Sequence, residues 1–329
     1  MKSVDEGKKY SSIMERHGSN ELCCCSIDEQ ISELNFAMSD GLENPFLPQI
    51  PPDWQEAGAY FGTDCQNQLA TVPVWRLIPL LQARGQLHMA LDLWLLQQHI
   101  AAGHPPTLRF YTWSPCAISL GYHQRRWPQF WQHLTWQGSP IDLVRRPTGG
   151  RAVLHQGDLT YAIIASDLSG NRLQVYQMLC SFLVQGWQQL GVNLTYGAAG
   201  RSYRHNPDCF GTATGADLVM ADGTKFVGSA QLWRGKSVLQ HGSMRLAPDA
   251  ALFKQVFGET ALRVPQLPAD LQQQDWIRVA IPALVAAARD YLGIHFVLQP
   301  LSEAEWESVL QFSRGNNVFC HPGREGPLN

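Results

Sequence analysis

Residues 144–155 read Val-Arg-Arg-Pro-Thr-Gly-Gly-Arg-Ala-Val-Leu-His, with three arginines and two adjacent glycines between two apolar segments. Adjacent glycines let backbone N–H groups approach a ligand closely, and guanidinium groups bind phosphate or carboxylate through paired donors. A glycine pair between strands is also a common tight turn without a ligand. The stretch therefore predicts a strand, a glycine turn and a returning strand, with an anion or carbonyl clamp as its candidate function.

The segment around this turn is basic. Residues 101–155 contain six arginines and one acidic residue, Asp142. The whole chain has a net charge of −3 and an isoelectric point of about 6.4. A local basic face on such a chain suits an acidic protein partner or a phosphate-bearing carrier better than a nucleic acid.

The rest of the sequence alternates irregularly between helical and extended patterns. The Asp222-Gly223 pair between two apolar runs predicts a hairpin, and Ser302 with Glu305 predicts a helix start. Walker and Gly-x-Gly-x-x-Gly loops are missing, which disfavours a doubly wound nucleotide fold. The pattern predicts an α/β (α+β) domain in which helices back a mixed, mostly antiparallel sheet. Helices are expected at 86–103, 172–191, 275–293 and 302–312.

The chain divides into an acidic leader and a longer body. Residues 1–70 hold 12 acidic and 4 basic side chains and lack a sustained apolar period, so we expect a flexible leader. Residues 71–329 are expected to form a single catalytic domain. The sequence has neither a signal peptide nor a membrane span, which predicts a cytoplasmic protein. Its eight cysteines show no pairing rhythm, so neither disulfides nor a metal site are expected.

Three blocks of sequence, in order, carry a family resemblance. They are residues 145–161, which begin with the glycine turn, 225–231 (KFVGSAQ) and 240–243 (QHGS). Together they resemble the biotin/lipoate protein ligase and octanoyltransferase superfamily, over about residues 77–312. The resemblance implies the biotin/lipoate ligase-type catalytic fold and an enzyme that attaches octanoyl or lipoyl groups to a lysine of carrier domains.

One cysteine indicates which branch of this superfamily the chain resembles. Cys209 stands sixteen residues before Lys225, where the M-type octanoyltransferases carry the cysteine that forms the acyl-enzyme. The resemblance thus implies that Cys209 is the nucleophile and Lys225 its activator, since a nearby ammonium favours the thiolate form of a thiol. Lys225 is then also expected to help remove a proton from the incoming lysine amine. Arg151 stands where many ligases of the superfamily have a third glycine, which also favours the transferase branch.

The resemblance further implies a substrate-binding set. His155 and His241 are expected to position the substrate rather than to act as bases, and alternate residues of 152–154 are expected to wall an acyl chain. The whole expected set is Arg145, Arg146, Thr148, Gly149, Gly150, Arg151, His155, Gly228, Ser229, Ala230 and His241.

The predicted function is an octanoyltransferase that serves lipoate biosynthesis. It would move octanoyl from acyl carrier protein, through the Cys209 thioester, to a lysine of a lipoyl-domain protein such as the glycine cleavage H protein or a 2-oxoacid dehydrogenase E2. Thiol–thioester exchange is nearly isoenergetic, so no cofactor is expected. Two alternatives remain: an ATP-dependent lipoate-protein ligase, and a non-catalytic module that binds an acyl group or carrier. Biotin ligases, nucleic-acid binding and membrane attachment are disfavoured.

Overall fold

A computed structural model describes residues 72–197, 217–258, 263–268 and 276–315. The predicted leader at residues 1–70 and the predicted nucleophile Cys209 lie outside these ranges, so both remain predictions. Within the described ranges, the helices are all too short or too polar to cross a membrane.

Thirteen strands form three sheets among the described residues. The largest sheet has eight strands in the order β13-β1-β2-β8-β12-β11-β10-β9, a second has the order β6-β3-β7, and β4 pairs with β5. The strands are β1 (Val74–Ala83), β2 (Thr107–Trp113), β3 (Ala117–Leu120), β4 (Thr135–Trp136), β5 (Ser139–Pro140), β6 (Asp142–Arg145), β7 (Val153–His155), β8 (Asp158–Ser166), β9 (Thr195–Tyr196), β10 (Leu218–Val219), β11 (Lys225–Arg234), β12 (Ser237–Arg245) and β13 (His295–Leu298).

Helices cover both faces of the large sheet. They are α1 (Gly85–Ala102), α2 (Arg172–Gln189), α3 (Ala250–Phe257), α4 (Trp276–Leu292) and α5 (Glu303–Gly315), with a 3₁₀ helix at Gln129–His133. Neighbouring residues of β8 point to opposite faces. Ala162 packs in the core cluster of α1 and α5, whereas the Tyr161 ring lies edge-on to Phe182 of α2.

The expected fold class is confirmed. In the large sheet, β1 runs parallel to β2 and β13, and the other neighbouring pairs are antiparallel. The Asp222-Gly223 hairpin is also confirmed: it joins β10 to β11, and Gly223 has a φ of 79°. Gly103 ends α1 in the left-handed conformation at φ 67°. Ser302 and Glu305 form the expected capping box, with reciprocal bonds of 2.8 and 3.2 Å.

The structure corrects one expectation about the glycine turn at residues 144–155, that its two strands form a hairpin. The strands on either side of it, β6 and β7, do not pair with each other as a hairpin would. Both pair with β3 instead, β6 in parallel and β7 in antiparallel register. The turn therefore crosses from one side of β3 to the other. Because the period of a strand says nothing about its partner, the sequence pattern missed this crossing.

Close packing of α2 against α4 yields a stability prediction. A Cβ atom on Gly186 of α2 would lie 2.8 Å from Leu284 Cδ2 and 3.1 Å from Leu284 Cα of α4. We expect Gly186→Leu to lower the free energy of unfolding by about 1–3 kcal/mol, the usual effect of overpacking. Gly315→Leu is the matched control, because a Cβ on this other helical glycine would meet no atom of the described residues within 4 Å. Equal urea midpoints for the two variants would contradict the packing described.

Candidate functional site

A cavity of about 200 Å³ opens between the large sheet, β3 and the glycine turn. Its apolar wall includes Met89 of α1 with Tyr111 and Trp113 of β2. The structure brings most of the expected site residues to its lining: Arg146, Gly149, Gly150, His155, Lys225, Gly228, Ser229, Ala230 and His241.

The other expected residues lie elsewhere. Thr148 is buried behind the lining and bonds to His241, whereas Arg145 and Arg151 are not among the residues that line the cavity. The expected alternation along 152–154 is confirmed at two positions: Val153 lines the cavity, and Ala152 packs in a separate core cluster around Trp131.

The glycine turn depends on very close backbone contacts. Gly150 has a φ of 100°, a left-handed conformation that favours glycine. A Cβ atom on Gly121, at the end of β3, would lie 1.8 Å from the carbonyl oxygen of Gly150. The turn thus requires a glycine on each side of this contact, and sequence reasoning missed Gly121 because it is remote from the motif.

The buried Arg146 side chain holds the backbone of the glycine turn by hydrogen bonds. Its side chain is buried and donates to the carbonyl oxygens of Ser119 at 2.8 Å, Gly149 at 2.8 Å and Arg151 at 2.7 Å. Arg145 likewise donates to carbonyls, those of Gly121 and Gln124. These bonds hold loops in place. Direct contact of either arginine with an anionic substrate stays a prediction.

Lys225 forms a buried ion pair with Asp217. Nζ of Lys225 lies 2.8 Å from Oδ1 of Asp217, their side chains are 3% and 6% exposed, and both residues line the cavity. The Asp222-Gly223 hairpin brings the two together by joining the strand that follows Asp217 to the strand that Lys225 begins. Lys225 is therefore a cavity residue rather than a solvated surface lysine. Sequence reasoning missed Asp217.

His241 is held by a chain of buried polar groups. Its Nδ1 lies 2.8 Å from Oδ2 of Asp92 on α1, and its Nε2 lies 2.6 Å from Oγ1 of Thr148 in the glycine turn. Asp92 also accepts from Arg109, at 2.6 Å, and from the hydroxyl of Tyr111. Burial alone would raise the pKa of Asp92, but Arg109 and His241 offset burial and hold that pKa below its usual value.

His155 belongs to a second chain of polar groups. Its Nδ1 lies 2.8 Å from Oδ2 of Asp158, its Nε2 lies 2.8 Å from Oγ of Ser119, and its ring stacks on Trp113 at 3.8 Å. Burial lowers the pKa of His155 below its ordinary value, although Asp158 acts in the opposite direction. The imidazole is therefore neutral at neutral pH.

The chain is similar in sequence to known proteins over most of its length. Residues 84–269 match the lipoyl protein ligase A/B catalytic domain family. The octanoyltransferase LipM of Carboxydothermus hydrogenoformans is 33% identical over 248 residues, which cover 74% of this chain and 87% of the relative. LipM of Kyrpidia tusciae is 31% identical over 260 residues, 76% of this chain and 89% of the relative.

Solved structures share the fold. A lipoate-protein ligase A bound with ATP superposes with a TM-score of 0.60 at 24% identity, over 73% of this chain and 93% of the other. A bi-partite lipoate protein ligase from Thermoplasma acidophilum gives 0.57 at 22% identity, over 78% of this chain and 100% of the other.

The buried pair behind His241 yields a second stability prediction. Asp92→Asn removes the counter-ion of Arg109, which is fully buried, and should lower the free energy of unfolding by about 3–5 kcal/mol. The matched control is Asp167→Asn, because Asp167 pairs with Lys236 at 3.3 Å on the surface, where their side chains are 68% and 85% exposed. Exposed pairs contribute little to stability. Urea unfolding measures the free energy of unfolding of both variants. Equal decreases in the two variants would show that burial of the Asp92–Arg109 pair does not contribute to stability.

Proposed function

The chain belongs to the lipoyl protein ligase A/B catalytic domain family, and we propose that it is an octanoyltransferase of lipoate biosynthesis. It moves an octanoyl group from an acyl carrier protein, through a thioester on Cys209, to a lysine of a lipoyl-domain protein. The observation that carries this proposal is the buried Lys225–Asp217 pair on the wall of a cavity that also has an apolar side, in a chain whose curated relatives are octanoyltransferases.

The apolar side of the cavity suits an alkyl chain. Met89, Tyr111, Trp113 and Val153 line it, and each buried methylene of an octanoyl group contributes about 0.8 kcal/mol of binding free energy. The same lining also includes Lys225 and residues of the glycine turn. In our proposal the alkyl chain packs on the aromatic wall, and the thioester carbonyl faces the polar groups.

The two described residues that flank the segment with Cys209 are hydrogen-bonded to each other. Residues 198–216 are bracketed by Gly197 and Asp217, and the backbone N–H of Gly197 donates to the carbonyl of Asp217 at 2.8 Å. Asp217 lines the cavity. A thiolate from this segment would find an ammonium at Lys225, which favours the charged form of a thiol. The same thiolate displaces the carrier's thiolate from the donor thioester, so the acyl group moves to Cys209 without ATP.

The donor docks, in our proposal, on the exposed part of the basic face. Arg125 and Arg126 are exposed, and Phe130 nearby in sequence is 50% exposed. Acidic carriers are attracted by such a surface. Arg125 and Arg126 suit docking better than Arg145 and Arg146, because the latter two already donate to backbone carbonyls.

Loss of the nucleophile tests the proposal. We expect intact-mass spectrometry to find one octanoyl group on the wild-type enzyme after mixing with octanoyl carrier protein, and none on Cys209→Ala, which should also fail to octanoylate an apo lipoyl domain. The control is Cys180→Ala, because burial raises the pKa of the Cys180 thiol to about 11 and makes that thiol inert. A Cys209→Ala enzyme that modifies the lipoyl domain only when ATP is supplied would instead identify a lipoate ligase.

The docking surface makes a separate prediction. The double variant Arg125→Gln, Arg126→Gln should raise the KM for octanoyl carrier protein by about tenfold at low salt, while the KM for a small octanoyl thioester stays within twofold. The difference should shrink as salt screens the charges. Lys236→Gln, which alters another exposed cation, on the hairpin between β11 and β12, should change neither value. An equal increase in KM for both donors would show that the two arginines have a structural role instead.

A further inference from the structure

The direction of the Lys225 side chain does not follow from simple alternation along β11. Neighbouring residues of a strand point to opposite faces of the sheet, and residues directly opposite each other on paired strands share a face. Val227 lies opposite Met244 of β12, whose sulfur accepts a hydrogen bond from Trp187 of α2. Val227 therefore points toward α2. Strict alternation would point Lys225, two residues before it, to the same side.

Lys225 instead lines the cavity, which lies on the other face of the sheet. His241 and Ser243 of β12 alternate with Met244 and so point away from α2. Both residues line the cavity, and Met89 of α1 lines it with them. Lys225 therefore emerges on the face opposite to the one that alternation predicts.

A β-bulge causes this change of face. Leu218 of β10 pairs with Val227 of β11. The next residue of β10, Val219, pairs with Lys225, so Phe226 is an extra residue on β11. The Phe226 ring packs edge-on against the same tryptophan of α2, with 4.8 Å between the ring centroids. Phe226 and Val227 thus point toward α2 in succession, and Lys225 is redirected to the cavity, as bulges beside functional sites often do.

Arg245, the last residue of β12, holds the backbone of this bulge. Arg245 is 7% exposed, and its Nη2 donates to the backbone carbonyl of Lys225 at 3.0 Å and to that of Arg263 at 3.1 Å. One guanidinium nitrogen therefore connects the bulge to the segment 263–268. A bulge interrupts the regular hydrogen bonds between two strands. Because a charged donor makes a stronger hydrogen bond than a neutral one, Arg245 is well suited to fix the backbone at this point.

The ion pair with Asp217 depends on the same geometry. Lys225 lies opposite Val219, and Asp217, two positions before Val219, points to the same face. On this face Nζ of Lys225 lies 2.8 Å from Oδ1 of Asp217. Without the extra residue, alternation would place Lys225 on the face of Leu218, away from this carboxylate. Asp217 thus fixes the tip of the Lys225 side chain, and Arg245 fixes the backbone from which that side chain starts.

We propose that Arg245 is a positioning residue for Lys225. By holding the backbone carbonyl of Lys225, it keeps the bulge formed and the Lys225 amino group in the cavity. The inference rests on the proposed function, in which that amino group activates Cys209. The residues that line the cavity include Lys225 but not Arg245, so Arg245 acts on the reaction through the lysine.

A second arginine contacts the hairpin before Lys225 and offers a matched control. Arg263 is exposed, and its Nη1 donates to the backbone carbonyl of Asp222 at 3.4 Å. A hydrogen bond of this length at the surface is weak. Arg263→Gln removes this contact but keeps the backbone carbonyl that accepts from Arg245. The variant therefore alters an arginine on the same hairpin while the bulge keeps its own hydrogen bond.

The rate of octanoyl loading from a small octanoyl thioester tests the proposal, with intact mass followed over time at several thioester concentrations. Arg245→Met and Arg245→Gln should lower the maximal rate by about 10- to 100-fold, because a shift of about 1 Å in a catalytic group can cost that much. The thioester concentration at half-maximal rate should stay within about twofold of wild type, since no substrate contact is lost. Arg245→Lys, which keeps a charged donor, should come within about fivefold of wild type, and Arg263→Gln within about twofold.

A double-mutant cycle distinguishes positioning of Lys225 from a general structural role. Lys225→Met, alone and combined with Arg245→Gln, is loaded over hours with p-nitrophenyl octanoate, an activated ester. If Arg245 acts through the lysine, Arg245→Gln should change the loading rate of Lys225→Met by less than about twofold, although it slows the wild-type enzyme at least about tenfold. Circular dichroism and urea unfolding establish that each variant is folded in the assay, and Arg245→Gln carries the test if Arg245→Met does not fold.

Three results would overturn the positioning role of Arg245. They are an unchanged loading rate in the folded Arg245 variants, a higher half-maximal thioester concentration with an unchanged maximal rate, and an equal slowing by Arg245→Gln in the wild-type and Lys225→Met backgrounds. Failure of the wild-type enzyme to take up octanoyl at all would contradict the proposed function instead, so the two failures are distinguishable.

Discussion

The buried pair of Asp92 and Arg109 is the interaction on which the site depends. Both side chains are fully buried, and they join α1 to β2. The second oxygen of Asp92 fixes His241 on β12, and His241 in turn fixes Thr148 in the glycine turn. A buried ion pair is rarely a gain in stability over apolar packing. Here it connects α1 and β2 to β12 and to the glycine turn, which are distant from them in sequence.

Local signals predicted the elements of the fold well. Gly103, the Asp222-Gly223 pair and the Ser302 capping box each specify backbone geometry through their own chemistry, and the structure has the expected geometry at all three. Strand partners were less predictable. The crossing of the glycine turn over β3 depends on the Gly121 contact with Gly150 and on the carbonyls that Arg146 collects. Gly121 and Ser119, which complete these contacts, lie outside residues 144–155, so that stretch alone does not predict the crossing.

The candidate site shows the same difference between features that the sequence predicts and contacts that only tertiary packing creates. His155, Lys225 and His241 followed from a family resemblance, and all three line the cavity. The carboxylates that pair with these three residues did not follow from the resemblance. The sequence could have suggested Asp158 as a partner of His155, since the two are three residues apart. It could not have suggested Asp92 for His241, because 149 positions separate them. Residues so far apart meet through tertiary packing, which a single sequence does not display. Cys209 stays a prediction because it lies outside the described residues.

The chemistry that results assigns separate tasks to separate polar groups. Lys225 places an ammonium group, paired with Asp217, on the cavity wall, and His241 with Asp92 holds the turn. The histidines of two histidine–carboxylate pairs, His155 with Asp158 and His241 with Asp92, line the same cavity of about 200 Å³.

The central claim is that octanoyl is carried on Cys209, and locating the acyl group tests it most directly. The wild-type enzyme is mixed with octanoyl carrier protein in the absence of ATP, digested at low pH to preserve thioesters, and sequenced by tandem mass spectrometry. The account predicts an octanoyl group on the peptide that contains Cys209, removed when an apo lipoyl domain is added. An octanoyl group on a different residue, or none while the lipoyl domain still becomes octanoylated, would contradict it.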